Sequence, residues 1–311
     1  MSDQHLVIGA GSVGTAVAET LARRGEAVVM VTRRGSGPDV AGVRRVATDA
    51  SSVEALLAAA PRATAIYNCA NPRYFEWPRD WPPMAKAFLA YAERTGAVLA
   101  TTSNLYGYGP VDVPMVESLP LAATDVKGRL RGDMWLAAKA LNDAGRIRAT
   151  EVRGSDYLAA SEQSRIASSR VVPRVLAGRA VSLLGNINTT HTWTSPIDVA
   201  RTLIVAAADE RAWGKAWHVP SNAPRTQREV VDDLAEAAGV PTVRVSEIPY
   251  GVMWAMGVVS PLMREFRATA YQMQRPYILD DDAARAMFGI EPTPWHVLLD
   301  QVVAHYAKTR G

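Results

Sequence analysis

His5-Leu-Val-Ile-Gly9-Ala-Gly11-Ser12-Val13-Gly14 sets G-x-G-x-x-G directly after an apolar run and at the mouth of an amphipathic helical pattern. That context gives a short glycine motif its meaning. Gly9 permits a tight turn, Gly11 lets the backbone approach a pyrophosphate, and Gly14 lets the helix pack closely on the strand. The unpaired N–H groups at the helix start, those of Ser12 and Val13 among them, then face the anion. About 20 residues further on, an NAD site carries an acid for the ribose hydroxyls. Here that place holds Thr32-Arg33-Arg34. A carboxylate would repel a 2′-phosphate, whereas a guanidinium pairs with it through charge-assisted hydrogen bonds. The expected cofactor is therefore NADP(H).

Working outward, strand-like runs at 5–8, 27–31, 43–47, 65–69, 98–101 and 148–152 alternate with helical patterns at 16–24, 83–95 and 127–144. This rhythm reads as α/β, a Rossmann-type doubly wound parallel sheet of six or seven strands covered by helices on both faces. Beyond about residue 155 the pattern turns to loops and short helices rich in Pro, Trp and Met, with a late strand at 216–219 and helices at 227–238 and 295–307. Thr226 and Thr293 are expected to cap those two helices. The expected division is a dinucleotide-binding domain over 1–155 and a smaller C-terminal substrate lobe over 156–311, interleaved with the last strands of the sheet.

Composition excludes several function classes. With 48% apolar and 21% charged residues the 311-residue chain can bury a large core. Its formal charge is +3 and the 34 basic residues are spread along it, which is no nucleic-acid footprint. The lone Cys69 forms no internal disulfide, and the opening Met-Ser-Asp-Gln-His has no secretory pattern, so a cytoplasmic location is expected. The longest apolar stretch, 250–263, is broken by Gly251, Gly257 and Pro261 and is too short to span a membrane. Its Met253, Trp254 and Met256, with Met263, line a pocket, an interface or simply core. No spacing of His, Cys, Asp and Glu suits a metal ion, and none is expected.

Further landmarks fall in order: Asp49-Ala50, then Asn68-Cys69-Ala70-Asn71, then Thr101-Thr102-Ser103-Asn104-Leu105-Tyr106-Gly107, then Arg153-Gly-Ser-Asp-Tyr157, then Thr194-Ser-Pro-Ile-Asp198-Val-Ala200. In this order the sequence resembles the extended short-chain dehydrogenase/reductase family, in its epimerase/dehydratase branch, over nearly its whole length. The resemblance implies that Asp49 and Ala50 lie on the adenine side of the cofactor and that Ala70 and Asn71 run beside it. It also implies that Thr102 and Ser103 are the active-site hydroxyls, that Asn104 and Tyr106 face the substrate, and that the chain forms a homodimer. The family carries Y-G-x-S-K on the helix after strand five; here that register holds Lys127-Gly128-Arg129-Leu130-Arg131, lysine in place of tyrosine and arginine in place of lysine.

Lys127 and Arg131 are spaced i,i+4 and share one helix face. Like charges so placed call for an anion near them; a solvated basic first turn is the other reading. The reference pKa of lysine, about 10.4, is close to the value of about 10 for tyrosine, so Lys127 is a candidate acid, base or oxyanion partner. Tyr106 and Tyr108 flank Gly107, where Tyr108 has the looser backbone and is the candidate replacement hydroxyl, with ring packing as the alternative. His191 is a candidate substrate contact. Positive charge near a nicotinamide favours its neutral, reduced ring, so the expectation is an NADPH-driven reductase of a small carbonyl-like or conjugated, anionic or aromatic substrate. The missing tyrosine supports the alternative: a non-redox epimerase, dehydratase or cyclase, or a non-catalytic NADP(H)-binding sensor.

Overall fold

The computed structural model describes residues 4–161, 164–248, 251–252 and 269–308; Met253, Trp254, Met256 and Met263 lie outside them. The apolar run that opens the chain becomes β1 (Gln4–Ile8), buried from His5 to Ile8. On one side of it lie β2 (Ala27–Thr32) and β3 (Val43–Ala47). On the other lie β4 (Ala63–Asn68), β5 (Val98–Asn104), β6 (Arg148–Gly154) and an edge strand, Ala216–His218. All neighbours in this seven-stranded sheet run parallel.

Parallel strands need crossovers, and the crossover helices cover both faces. Val7, Val28 and Met30 pack with α1 (Ser12–Arg23) and the helix Pro196–Ala208. Leu6, Ile8, Val29 and Val31, one residue out of phase, pack with α2 (Val53–Ala59), α3 (Trp77–Thr95) and α4 (Val126–Asp143). The period-two side-chain alternation of a strand thus feeds two separate cores.

Between β3 and β5 the structure differs from the sequence pattern twice. The short α2 is additional, and the Ser52 hydroxyl starts it by accepting the Ala55 N–H at 3.3 Å. Helix α3 begins at Trp77, not near Pro83, and carries Pro82 and Pro83 inside it. Prolines there remove intrahelical donors. Trp77, Trp81 and Phe88, all buried against the sheet, hold the helix across that interruption.

After β6 the chain leaves the sheet as β7 (Asp156–Tyr157), which pairs with Trp193–Thr194. The strands Val181–Leu184 and Val245–Ile248 pair in parallel, and the helices Gln227–Ala237 and Trp295–Lys308 share a third core with Leu158, Ile166 and Trp193. Thr226 starts the first of these helices in a reciprocal capping box with Glu229. Thr293, expected to cap the second, instead directs its N–H and hydroxyl to the Asp198 carboxylate at 2.7 and 2.8 Å. Among the described residues no helix is long and apolar enough to cross a membrane.

Candidate dinucleotide and substrate site

Successive strands are added to one side of β1 and then, from β4, to the other, which opens a crevice beyond their C-terminal ends. The glycine turn lies at its centre. Gly9 has φ of +99°, and a Cβ there would lie 2.7 Å from the Cys69 carbonyl oxygen; a Cβ on Gly14 would lie 2.0 Å from the Gly9 oxygen. Both positions therefore require glycine. Gly11 differs, since a Cβ there meets nothing within 4 Å. No side chain caps α1 at Gly11, and Ser12 is exposed. Bare helix N–H groups beside open space fit a pyrophosphate.

Arg33 and Arg34 are exposed just past the end of β2. Thr32, expected with them at the ribose, has its Oγ1 in the following turn, accepting the Ser36 N–H at 2.7 Å. Asp49 is exposed and takes the N–H and hydroxyl of Ser51 at 2.9 and 2.8 Å; Ala50 beside it is half-buried. The Ala70 N–H donates to Asn68 Oδ1 at 3.3 Å, and Asn71 is exposed.

At the end of β5 the Thr102 hydroxyl donates to Cys69 Sγ at 3.7 Å, while Ser103 is buried. Burial pushes the Cys69 thiol up to about 12, which keeps it protonated. Asn104 Oδ1 accepts the Tyr106 N–H at 3.1 Å and turns the chain there. Helix α4 then returns over this turn. Asp125 caps it, accepting the N–H groups of Lys127 and Gly128 at 3.0 and 2.9 Å. A Cβ on Gly128 would lie 2.6 Å from the Tyr106 carbonyl oxygen, so glycine permits the contact.

Lys127 and Arg131 are both buried, at 3% and 5% exposure, and Arg129 between them is exposed. This overturns the solvated basic turn. Aromatic faces meet the two cations: Lys127 Nζ lies 4.3 Å from the Tyr74 ring centre, and the Arg131 guanidinium 4.8 Å from the Trp81 ring. Arg131 also donates to the Thr102 carbonyl oxygen, and its buried Nε has no hydrogen bond among the described residues. Burial pulls its pKa below the ordinary guanidinium value.

Tyr108, expected as the replacement hydroxyl, is fully buried in a different network. Its oxygen accepts from Arg153 at 2.6 Å and lies 2.7 Å from His218 Nε2, while Arg153 Nε donates to Glu151 at 2.8 Å. His218 Nδ1 lies 2.6 Å from the Asp280 carbonyl, which can only accept, so Nδ1 carries the proton and Nε2 takes the tyrosine hydroxyl. Burial, chiefly, lowers the His218 pKa from 6.5 to about 3. A histidine kept neutral when folded and charged when unfolded contributes stability that is complete above pH 6.5 and is lost as pH falls towards 3. We expect unfolding free energy to drop by about 1.4 kcal/mol per pH unit within that window from this group. Urea midpoints at pH 7 and pH 5 check it, and His218→Asn must flatten the slope.

His191 is buried, its ring stacked at 5.1 Å on Tyr277. Its Nε2 lies 3.3 Å from Asp156 Oδ2 and 3.4 Å from Ser155 Oγ. Both oxygens address the same nitrogen, so this is no nucleophilic triad, which uses both ring nitrogens. Asp156 also pairs with Arg165 at 2.9 Å. Burial alone would raise its pKa, but the Arg165 charge and His191 hold the carboxyl well below the usual range. Tyr74, Trp77 and Arg165 carried no motif in the sequence, and Asp156 and Tyr157 appeared there only as a turn after strand six.

Residues 5–219 match the model of the NAD dependent epimerase/dehydratase family. Comparison with curated protein sequences gives no match. Similar solved structures include an epimerase from Methanothermobacter thermautotrophicus, 16% identical with a TM-score of 0.82 over 99% of this chain and 93% of that one. UDP-glucose 4-epimerase from Thermotoga maritima, with UDP-glucose, is 17% identical with a TM-score of 0.79, covering 99% of this chain and 100% of that one. dTDP-glucose 4,6-dehydratase from Streptomyces venezuelae, with NAD bound, is 19% identical with a TM-score of 0.78, covering 99% and 98%. At such identities the likeness is one of fold.

Proposed function

The chain belongs to the NAD dependent epimerase/dehydratase family, and on that premise we propose that it is an NADP(H)-dependent enzyme acting at a hydroxyl- or carbonyl-bearing carbon of a small polar substrate. The observation that carries this reading is the uncapped, open start of α1 at Gly11 with Arg33 and Arg34 exposed at the end of the neighbouring strand. When bound, the dinucleotide supplies a carrier of two electrons as hydride.

The protein's own groups do the rest. Thr102 and Ser103 hold the reacting oxygen at the end of β5. Lys127 and Arg131, on the buried face of α4, oppose the negative charge that develops on that oxygen. Lys127 acts here as a fixed cation, with its ammonium on the Tyr74 ring. Tyr106, with Asn104, and the Asp156, Arg165 and His191 cluster offer the substrate hydroxyl partners. The sugar moieties of the UDP-glucose and dTDP-glucose enzymes are hydroxyl-rich ligands of the same kind. A homodimer would bring together α3 and α4, where Leu136 is an exposed large apolar side chain.

Epimerisation or dehydration leaves the dinucleotide unchanged over a full cycle. One observation favours a second reading, net reduction by NADPH: Lys127 and Arg131 are buried cations, Arg131 bonded to Thr102 of β5, and would oppose an oxidised, positively charged ring bound beside them. Nicotinamide fluorescence with NADPH tests the common premise, and we expect micromolar binding. A panel of sugar nucleotides and small carbonyl compounds, followed both at the nicotinamide band and by product analysis, separates the two. Product without net NADPH loss gives epimerase or dehydratase chemistry, and stoichiometric loss gives a reductase. Absence of binding at millimolar dinucleotide would sink both.

A further inference from the structure

We infer that the outer edge of the sheet carries a second small-molecule site, apart from the dinucleotide crevice, for a planar ring that bears an N–H beside a C=O together with an acidic group. The strand Ala216–His218 forms one side of it. A cavity of about 340 Å³ opens there, with Glu117, Trp135, Lys139, Lys215, Ala216 and Trp217 among the residues around it. Small-ligand sites enclose about 300 to 1,000 Å³, so the space suits a single ring with a substituent. The glycine turn, Arg33, Arg34, Thr102 and Ser103 take no part in this cavity.

The edge offers one free pair of backbone groups. The Glu151 N–H donates to the Lys215 carbonyl at 3.2 Å, and the Val219 N–H to the Arg153 carbonyl at 3.0 Å. With Ala216 opposite Glu151 and Trp217 opposite Val152, the main-chain groups of Trp217 face β6 and those of Ala216 and His218 face outward. The His218 N–H is already taken, by Glu117 Oε1 at 2.9 Å, and the Gly214 N–H by the Ala149 carbonyl at 2.7 Å. The N–H and C=O of Ala216 have no partner among the described residues. An added peptide strand would need the groups of Ala216 and His218 in succession, and Glu117 blocks the second. A single donor and acceptor on one residue match a cyclic amide or imide instead: the ring N–H meets the Ala216 carbonyl and the ring C=O takes the Ala216 N–H.

The side chains around Ala216 set the rest of the ligand. Trp135 and Trp217, both buried, give the cavity apolar walls suited to a ring. Lys215 is exposed beside Ala216, its ammonium 5.8 Å from the Trp217 ring. Lys139 shares its charge with Asp143 at 2.8 Å. A Cβ on Gly214 would lie 2.6 Å from Asn142 Nδ2, on the α4 turn that follows Lys139, so both lysines border the same end of the strand. Glu117 stands at the other end, on His218. An acidic group is therefore drawn to the lysines and kept from Glu117, which fixes the direction in which the ring lies. Pyrimidine carboxylates and pyrimidine nucleotides share this chemistry, an imide edge with an anionic substituent.

The test needs no substrate of the crevice. Orotate, a pyrimidine imide with a carboxylate, is titrated into the full chain by calorimetry, with and without NADPH. We expect a Kd of about 1 mM or below, unchanged by NADPH, and movement of the Ala216 amide resonance on binding. The N,N′-dimethyl derivative of orotate keeps the carboxylate, loses both ring N–H groups and binds about 10-fold more weakly. Lys215→Glu weakens orotate by about 10-fold as well. Ala216→Pro removes the outward N–H and no ladder bond, and has the same effect. Should that variant fail to fold, the dimethyl ligand and Lys215→Glu still decide. Uridine monophosphate in a parallel titration separates the two sources: tighter binding than orotate assigns the site to a nucleotide, weaker binding to a free pyrimidine acid. The inference is overturned if both compounds fail to bind at about 10 mM, if NADPH displaces them, or if the dimethyl ligand or Lys215→Glu matches the parent pair. Failure of NADPH itself to bind overturns the cofactor reading alone and leaves this site standing.

Discussion

Arg33→Asp weakens NADPH binding by on the order of 100-fold and leaves NADH within a few-fold of its parent affinity. Arg33 follows the last residue of β2 and is exposed, with Arg34 beside it and Gly35 turning the chain at φ +66°. A hydrogen bond to a charged group contributes about 1.5 to 3 kcal/mol. The substitution removes that bond and puts a carboxylate against a dianion, while solvent exposure and the neighbouring Arg34 hold the net loss near about 3 kcal/mol. NADH has no 2′-phosphate and registers only the change in general field. Paired fluorescence titrations at low and high salt are the measurement. The parent's preference for NADPH shrinks as salt rises, and the variant has little left to lose. Equal losses for both dinucleotides would show that Arg33 supports the turn and does not read the phosphate.

Arg153→Met lowers stability by about 3 to 5 kcal/mol. Glu151, Arg153, Tyr108 and His218 are each at most 3% exposed and are bonded in sequence. Without the guanidinium, the Glu151 carboxylate is left in the interior without its ion pair and the Tyr108 hydroxyl loses a donor. Thermal unfolding should fall by on the order of 10 °C. The double variant Arg153→Met with Glu151→Gln should recover much of the loss, because the stranded charge is the larger part of it. A single-variant loss below about 1 kcal/mol would mean that Glu151 finds another partner. A cavity of about 20 Å³ lined by Glu151, Thr150, Thr101 and Asn68 has room for one water and would be the place.

What the sequence disclosed is what short-range rules govern. The glycine turn, the run of buried strands and the shared face of Lys127 and Arg131 each depend on residues a few positions apart, and all three appear in the structure. The sequence pattern puts the start of this helix near Pro83, but Trp77 and Trp81 reach the core from the preceding turns and extend α3 backwards. Tyr108 seemed available beside Gly107 because its partner His218 is 110 residues away. The aromatic cover over the two cations was equally hidden, since Tyr74, Trp77 and Trp81 come from the segment after β4 and say nothing locally about α4. The Asp156 and His191 contact likewise closes across two separate strands.

The sheet's outer strand, Ala216–His218, comes from well beyond the segment that supplies the other six, and its histidine sits beneath Tyr108. A nascent chain emerging from the ribosome cannot finish this layer until residue 218 has been synthesised. Until then β6 is a bare border, with Glu151 and Arg153 open to water and to stray pairing with other chains. A gene split at residue 155 would make that unfinished border permanent in the N-terminal fragment, whereas a split in the loop after residue 218 would let the layer close.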